Sequence, residues 1–131
     1  MTLPKEEPLL VEILKWLVKQ GVRFIVEDNQ ETIKLGLIGV YRYFLENGWY
    51  YPRDSVIAAR KNRLTFLKMI HDFKFPISPE AANQAAYMKD FQMMDWLAHR
   101  NIDVGESLPL VKWLLKHGIF PERALYDFFS L

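Results

Sequence analysis

The chain has 131 residues, half of them hydrophobic and 15% aromatic, with 17 basic and 16 acidic side chains and a net charge of +1. That is one domain's worth of chain with ample core material, which excludes disorder by composition. The even charge balance excludes a strong field for nucleic acid or an anionic membrane, and the absence of cysteine excludes disulfides, thiolate metal sites and cysteine nucleophiles while fitting a reducing, cytoplasmic setting.

Residues 1–8 form a polar lead with two prolines and the acids Glu6 and Glu7, placed where a helix N-terminus favours negative charge. Over residues 9–20 the apolar side chains fall at Leu10, Ile13, Leu14, Leu17 and Val18, which is helical spacing. Gly21 follows and can close that helix in the left-handed conformation. Glu12 and Lys15 interrupt the apolar stretch and no basic leader precedes it, so no signal peptide is expected. No apolar run approaches the roughly 18 residues of a membrane span.

Residues 22–29 are β-rich but short and are expected to be a connector, with a short helix over 31–35. An apolar helix over 38–47 ends at Gly48. The turn GWYYPRD follows, with Pro52 placed to open the next helix. That helix is expected over 55–62, with a partner over 64–72. A connector containing Pro76 spans 73–78, and helices over 79–89 and 91–100 repeat the pair, closed by Asn101 in place of glycine. Beyond Val104 the register breaks. The segment 108–121, LPLVKWLLKHGIFP, resembles the second helix of each unit, yet Trp113 lies 17 residues after Trp96 and not 27. A last helix is expected in PERALYDFFSL, opened by Pro121.

The central part is one unit written twice. AARKNRLTFLKMIHDFKFPI over 58–77 and AAYMKDFQMMDWLAHRNIDV over 85–104 start 27 residues apart. Counting back from closing positions Gly21, Gly48, Lys74, Asn101 and Gly118, the residues five before are Trp16, Tyr43, Met69, Trp96 and Trp113. The residues four before are Leu17, Phe44, Ile70, Leu97 and Leu114, so both rows are large and apolar in every copy. Helix pairs that cannot bury their own apolar faces stack into a continuous core. The expected fold is therefore a single all-α domain, a solenoid of stacked helix pairs with units of approximately 9–29, 30–51, 52–78, 79–105 and 106–131.

The two central copies resemble the ankyrin repeat, whose helices read roughly A-A-x-x-G-H-L-E-V-V-K-L-L-L-E-x-G-A-D-V. Ala58, Ala59, Leu64, Phe66, Leu67, Ile70 and Ile77 sit on pattern positions, as do Ala85, Ala86, Phe91, Met93, Met94, Leu97, Asp103 and Val104. The period of 27 against the usual 33 removes about the size of the projecting β-hairpin finger, and PRDSVIAA and PEAANQAA replace the T-P-L-H opening. Shortened repeats of this kind are similar to those of large DNA viruses and intracellular bacteria. The resemblance implies a shortened ankyrin-like solenoid and a protein-binding role.

No constellation of catalytic residues stands out. His71, His99 and His117 fall three, two and one residue before their closing positions and so share no row. Each sits where a helix C-terminus favours a cation. The acid pairs Glu6 with Glu7 and Glu27 with Asp28 are adjacent in sequence and point apart on a helix. No phosphate loop, dinucleotide fingerprint or nucleophile elbow is present. No cofactor and no metal site is expected.

Binding is the expected chemistry. In the first four connectors the first and third residues after the closing position are apolar: Val22 and Phe24, Trp49 and Tyr51, Phe75 and Ile77, Ile102 and Val104. The residue between should point outward, which makes Tyr50 and Phe120 candidate exposed aromatics. Arg53 follows closely, and Arg60 and Tyr87 on the first helices share the expected concave side. Aromatic residues and arginine are the commonest binding hot spots. Tyr50, Arg53, Arg60, Tyr87 and Phe120 are thus the expected partner-binding residues, for a small intracellular adaptor or inhibitor whose partner is another protein. The alternative is a basic stripe, Lys15, Arg42, Lys68 and Lys112, interrupted by Asp95, that meets nucleic acid or an acidic partner. The apolar residues Leu125, Phe128, Phe129 and Leu131 are expected to cap the core or to mediate self-association.

Overall fold

The computed structural model describes residues 7–100, and every regular element among them is an α-helix. In order they are α1 (Glu7–Lys19), α2 (Val26–Leu35), α3 (Ile38–Glu46), α4 (Pro52–Arg60), α5 (Leu64–Asp72), α6 (Pro79–Tyr87) and α7 (Phe91–His99). None is long and apolar enough to cross a membrane. Phe120, His117, Trp113, Lys112 and the apolar C-terminal residues lie outside the described residues.

The helix spans follow the sequence pattern closely, with two corrections, at the starts of α2 and α4. Residues 22–29, expected to be a connector, are helical from Val26 onward. The carboxylate of Asp28 explains the early start. It accepts the backbone N–H of Ile25 at 2.7 Å and so satisfies a donor that a helix N-terminus leaves orphaned. Once the turn is capped, Val26 enters the helix despite its modest propensity. The same capping geometry recurs 26 residues later, where Asp54 accepts the N–H of Tyr51 at 3.3 Å. Pro52 stands in the first turn of α4, and α4 begins there rather than at Ser55. Proline suits this place because the N–H that it lacks has no helical partner anyway.

Every helix from α1 to α6 ends in the same closure. The residues at the turns are left-handed: Gly21, Gly36, Gly48, Asn62, Lys74 and Lys89, with φ between 56° and 93°. At each, the following N–H reaches back five residues. Val22 donates to the carbonyl of Leu17 at 3.1 Å, Leu37 to Thr32 at 3.1 Å, Trp49 to Phe44 at 2.9 Å, Arg63 to Ala58 at 2.8 Å, Phe75 to Ile70 at 3.1 Å and Asp90 to Ala85 at 3.0 Å. This is the Schellman closure, which satisfies carbonyls that the last turn leaves unpaired. Lys74 has a Cβ in this conformation, and each non-glycine residue there costs about 1–2 kcal/mol. Lys74→Gly should therefore raise stability by about 0.5–1 kcal/mol, the gain reduced by the larger entropy of glycine in the unfolded chain. Urea denaturation midpoints would show it. Gly48→Ala should shift them the other way, and purely through backbone strain, because a Cβ there meets nothing within 4 Å.

Packing links the helices in two series. α2, α4 and α6 touch in order, and α1, α3 and α5 touch in order, with α2 against α3, α4 against α5 and α6 against α7. Small residues line the first series: Ser55, Ala58, Ala59, Ala81, Ala82 and Ala85 are all fully buried. Their size lets helix axes approach closely. Large residues fill α3, α5 and α7, with Val40, Tyr41, Phe44, Phe66, Leu67, Ile70, Met93 and Leu97 buried. The apolar row four before each closure is buried in α3, α5 and α7 and half-buried in α1. The row five before is mixed: Met69 is buried, Tyr43 and Trp96 are half-buried and Trp16 is exposed. α1 also reaches across to α3, where Glu7 Oε1 accepts the N–H of Val40 at 3.1 Å. Gly39 leaves room for that contact, since a Cβ there would lie 3.2 Å from the carboxylate of Glu7.

Candidate functional site

The most concentrated polar chemistry is internal. Asn29 of α2, Tyr41 of α3 and Asp54 of α4 meet where the three helices join. Asp54 Oδ2 accepts from Asn29 Nδ2 at 2.9 Å and from the hydroxyl of Tyr41 at 2.9 Å. Asn29 Nδ2 also donates to the carbonyl of Trp49 at 2.7 Å. All three residues are buried, at 1%, 0% and 0% exposure. Asp54 Oδ1 has no hydrogen-bond partner among the described residues. Burial raises the pKa of Asp54 above the usual carboxylate value, opposed by its hydrogen bonds from Asn29, Tyr41 and the backbone of Tyr51. Burial, with the Asp54 carboxylate beside it, also drives the hydroxyl of Tyr41 far above its usual range. Such a cluster ties three helices together. Its hydrogen bonds join α2, α3 and α4 from within, which makes it an internal tie.

The expected binding residues divide between opposite ends of the helices. Tyr50 is half-buried, contrary to the outward orientation expected from connector alternation. Its ring stacks on Phe75 with centroids 4.9 Å apart and planes inclined by 21°, and its hydroxyl donates to the carbonyl of Pro76. Burial pushes its pKa up to about 12. Alternation sets only the direction of the Cβ; a ring can then fold back along the next connector and gain contact. Arg23 and Pro76, the equivalent residues of the neighbouring connectors, are exposed. Arg53 is exposed in the first turn of α4, at this same end.

Arg60 and Tyr87 lie at the other end. They close α4 and α6 at equivalent places, two residues before Asn62 and Lys89 respectively. Tyr87 is 83% exposed. Lys34 holds the matching place on α2, before Gly36. Around this row stand the exposed side chains of Leu35, Lys61, Met88 and Lys89. Sequence reasoning named Arg60 and Tyr87 but missed Lys34 and Leu35, because α2 was expected to begin five residues later. Arg63 fixes the neighbouring turns in register. Its Nη2 donates to the carbonyl of Lys34 at 3.0 Å, and its guanidinium lies where a Cβ on Gly36 would come within 3.2 Å.

Other features carry less. His71 packs edge-on against Trp96 with centroids 5.5 Å apart. His99 Nδ1 lies 2.8 Å from the carbonyl of Asp95 and 3.4 Å from its carboxylate. Among the described residues no three His, Cys, Asp or Glu side chains gather as a metal site would need. A surface depression of about 580 Å³, lined by His71, Asp72, Lys74, Phe75 and Pro76, lies on the connector side. Lys15, Arg42 and Lys68 are exposed, but Lys15 pairs with Glu12 at 3.3 Å and stands 5.9 Å from the centre of the Tyr43 ring. No family model, no curated protein and no solved structure matches the chain.

Proposed function

We propose that the chain is a non-catalytic protein-binding module, built as a shortened ankyrin-like solenoid of stacked helix pairs and acting inside the cell as a small adaptor or inhibitor. Three features support the architecture: the two series of helix contacts, the six like closures and their spacing. Left-handed residues recur at 21, 48 and 74 between pairs and at 36, 62 and 89 within pairs, each interval being 26 or 27 residues.

The observation that carries the binding role is the edge formed by the turns within pairs. It presents Tyr87 at 83% exposure, Leu35 at 60% and Met88 at 44%, flanked by Lys34, Arg60, Lys61 and Lys89. An exposed aromatic surrounded by apolar and basic side chains suits a partner surface that carries apolar and acidic groups. Helix C-termini favour basic residues for electrostatic reasons alone, but that preference does not account for an exposed tyrosine, leucine and methionine among them. A partner captured by the wild-type protein should be lost from Arg60→Ala/Tyr87→Ala. Two hot-spot truncations cost roughly 2–4 kcal/mol, so affinity measured by titration calorimetry should fall at least about thirtyfold. Undiminished affinity in the double variant would remove the edge from consideration.

A further inference from the structure

We infer that the edge formed by the turns within pairs takes an extended acidic segment of a partner protein in the polyproline II conformation, with acidic side chains three residues apart and an apolar one three residues further on. This rests on that edge being the binding surface. Cations are segregated there. Residues 34–38, 60–65 and 87–92, the turns and the helix starts that follow them, hold five Lys or Arg and a single acid, Asp90, although the whole chain carries a net charge of only +1. Asp90 is already engaged within the fold, since its Oδ1 accepts the N–H of Met93 at 3.1 Å. On the helices that end at the edge the nearest other acid is Glu31, one turn back along α2. Among the described residues Lys34, Arg60, Lys61 and Lys89 are exposed and form no ion pair. A row of unpaired cations favours an acidic partner.

The repeat sets the spacing. Lys34, Arg60 and Tyr87 hold the same place on α2, α4 and α6, two residues before the left-handed residues Gly36, Asn62 and Lys89. Those helices pack in order through small or short side chains, which sets neighbouring axes about 8–10 Å apart. Arg63 fixes the first two turns side by side through its 3.0 Å bond to the carbonyl of Lys34. A polyproline II chain rises about 3.1 Å per residue and returns to the same face every third residue, so it offers like side chains about 9 Å apart. A β-strand turns residues i and i+3 to opposite faces, and an α-helix needs seven residues, about 10.5 Å, to come back to one face. Acids at i and i+3 therefore meet Lys34 and Arg60, and an apolar residue at i+6 meets Tyr87, which is 83% exposed. The chain's own residues outside 7–100 do not supply this pattern here. Their one pair of acids three residues apart is Asp103 and Glu106. Arg100 closes α7 at the connector end, about 14 Å of helix away from the turn edge, and the three residues to Asp103 span at most about 11 Å.

The probe is a fluorescein-labelled peptide, Glu-Pro-Pro-Glu-Pro-Pro-Leu, made also in reverse order, in which proline presets the conformation. It is titrated with the full-length protein at low salt and read by anisotropy. Saturable binding is expected from one of the two orders, weakened at least about tenfold by Lys34→Glu/Arg60→Glu in the protein. Glu-Glu-Pro-Pro-Pro-Pro-Leu has the same composition but sets both acids against one turn, and should bind about threefold more weakly. Both substituted side chains are exposed, so the variant should keep its circular dichroism; Lys34→Gln/Arg60→Gln is the second variant if it does not. No saturable binding from either order would overturn the inference. Equal binding of the adjacent-acid peptide would overturn it too, as would a partner that Arg60→Ala/Tyr87→Ala loses but the peptide does not displace. In those two cases the edge remains the binding surface and only the extended register falls. Peptide binding indifferent to Lys34→Glu/Arg60→Glu would count against both. A wild-type dimer in sedimentation that Lys34→Gln/Arg60→Gln dissociates would assign the edge to a second copy of this chain and overturn the inference.

Discussion

Asp54→Ala should destabilise the protein by about 3–4 kcal/mol, because it strands buried donors at the junction of three helices. Tyr41 would lose the acceptor for its hydroxyl, Asn29 would keep only the carbonyl of Trp49, and the N-terminus of α4 would lose its cap. A domain of this size has only about 5–15 kcal/mol of stability in total, so the loss should be plain in a urea melt. Asp54→Asn keeps one acceptor oxygen and should cost less.

The pH dependence has a definite sign. Burial raises the pKa of Asp54 in the folded protein above 3.8. The folded state then holds a proton that the unfolded chain has released, and stability falls as pH rises across that interval. The contribution of this group is complete below about pH 3.8 and is lost as pH rises through the elevated value. Protonation on Oδ1 costs no hydrogen bond, since that oxygen has no partner among the described residues. The stability of the wild type relative to Asp54→Asn should therefore increase from pH 7 toward pH 4. A difference that stays flat or shrinks on acidification would show that the carboxylate is not desolvated as the geometry requires.

Phe66→Ala should cost about 3–5 kcal/mol, the range for deleting a buried phenylalanine and leaving its cavity. Phe66 is 2% exposed on α5, and its ring centre lies 5.4 Å from that of Tyr41. The cavity would open beside the tyrosine that holds Asp54, so packing and polar bonding should fail together. The double variant Phe66→Ala/Tyr41→Phe should then lose less than the sum of the two single changes, with a coupling of about 0.5–3 kcal/mol. Strict additivity in denaturation midpoints would separate the aromatic contact from the polar tie. Phe66→Leu conserves much of the volume and should cost well under half as much.

The two variants probe different ways in which the chain holds its pairs together. Alanine and serine on the inner helices allow close approach, and the large side chains on the outer helices fill the space behind them. Between α2 and α4 a polar bond replaces part of the apolar contact. At the equivalent place between α4 and α6 stand Ser55 and Ala81, both buried, and there Ser55 Oγ accepts the N–H of Ser78, the cap of α6, at 3.0 Å. One junction is therefore tied by three buried side chains, and the next by a single serine hydroxyl among alanines.

Much of this architecture was legible in the sequence, because its signals are local. Apolar residues at helical spacing marked α1, α3, α5 and α7 almost to the residue. Proline at 52 and 79 marked helix starts, and glycine at 21 and 48 marked helix ends. The periodic ladder identified Phe44, Ile70 and Leu97 as buried. These properties depend on backbone conformation and side-chain periodicity within about ten residues, so neighbours in sequence settle them. Lys74, Asn62 and Lys89 show the limit of even that logic. They adopt the glycine conformation without being glycine, and only the repeat spacing pointed to Lys74.

What the tertiary structure alone decided concerns environment. Asp28 and Asp54 look alike in sequence, each an acid three residues after a helix cap. Asp54 is buried because Asn29 and Tyr41 close over it from two other helices, while Asp28 is only half-buried and holds the N–H of Ile25. Tyr50 and Tyr87 are both tyrosines at turns, yet one stacks on Phe75 and the other stands almost free. Ile13 sits in the same row as Val40, Phe66 and Met93, yet they are buried and it is 47% exposed. Burial, pKa and availability for binding are set by residues distant in the chain, and no local pattern encodes which of those neighbours will be present.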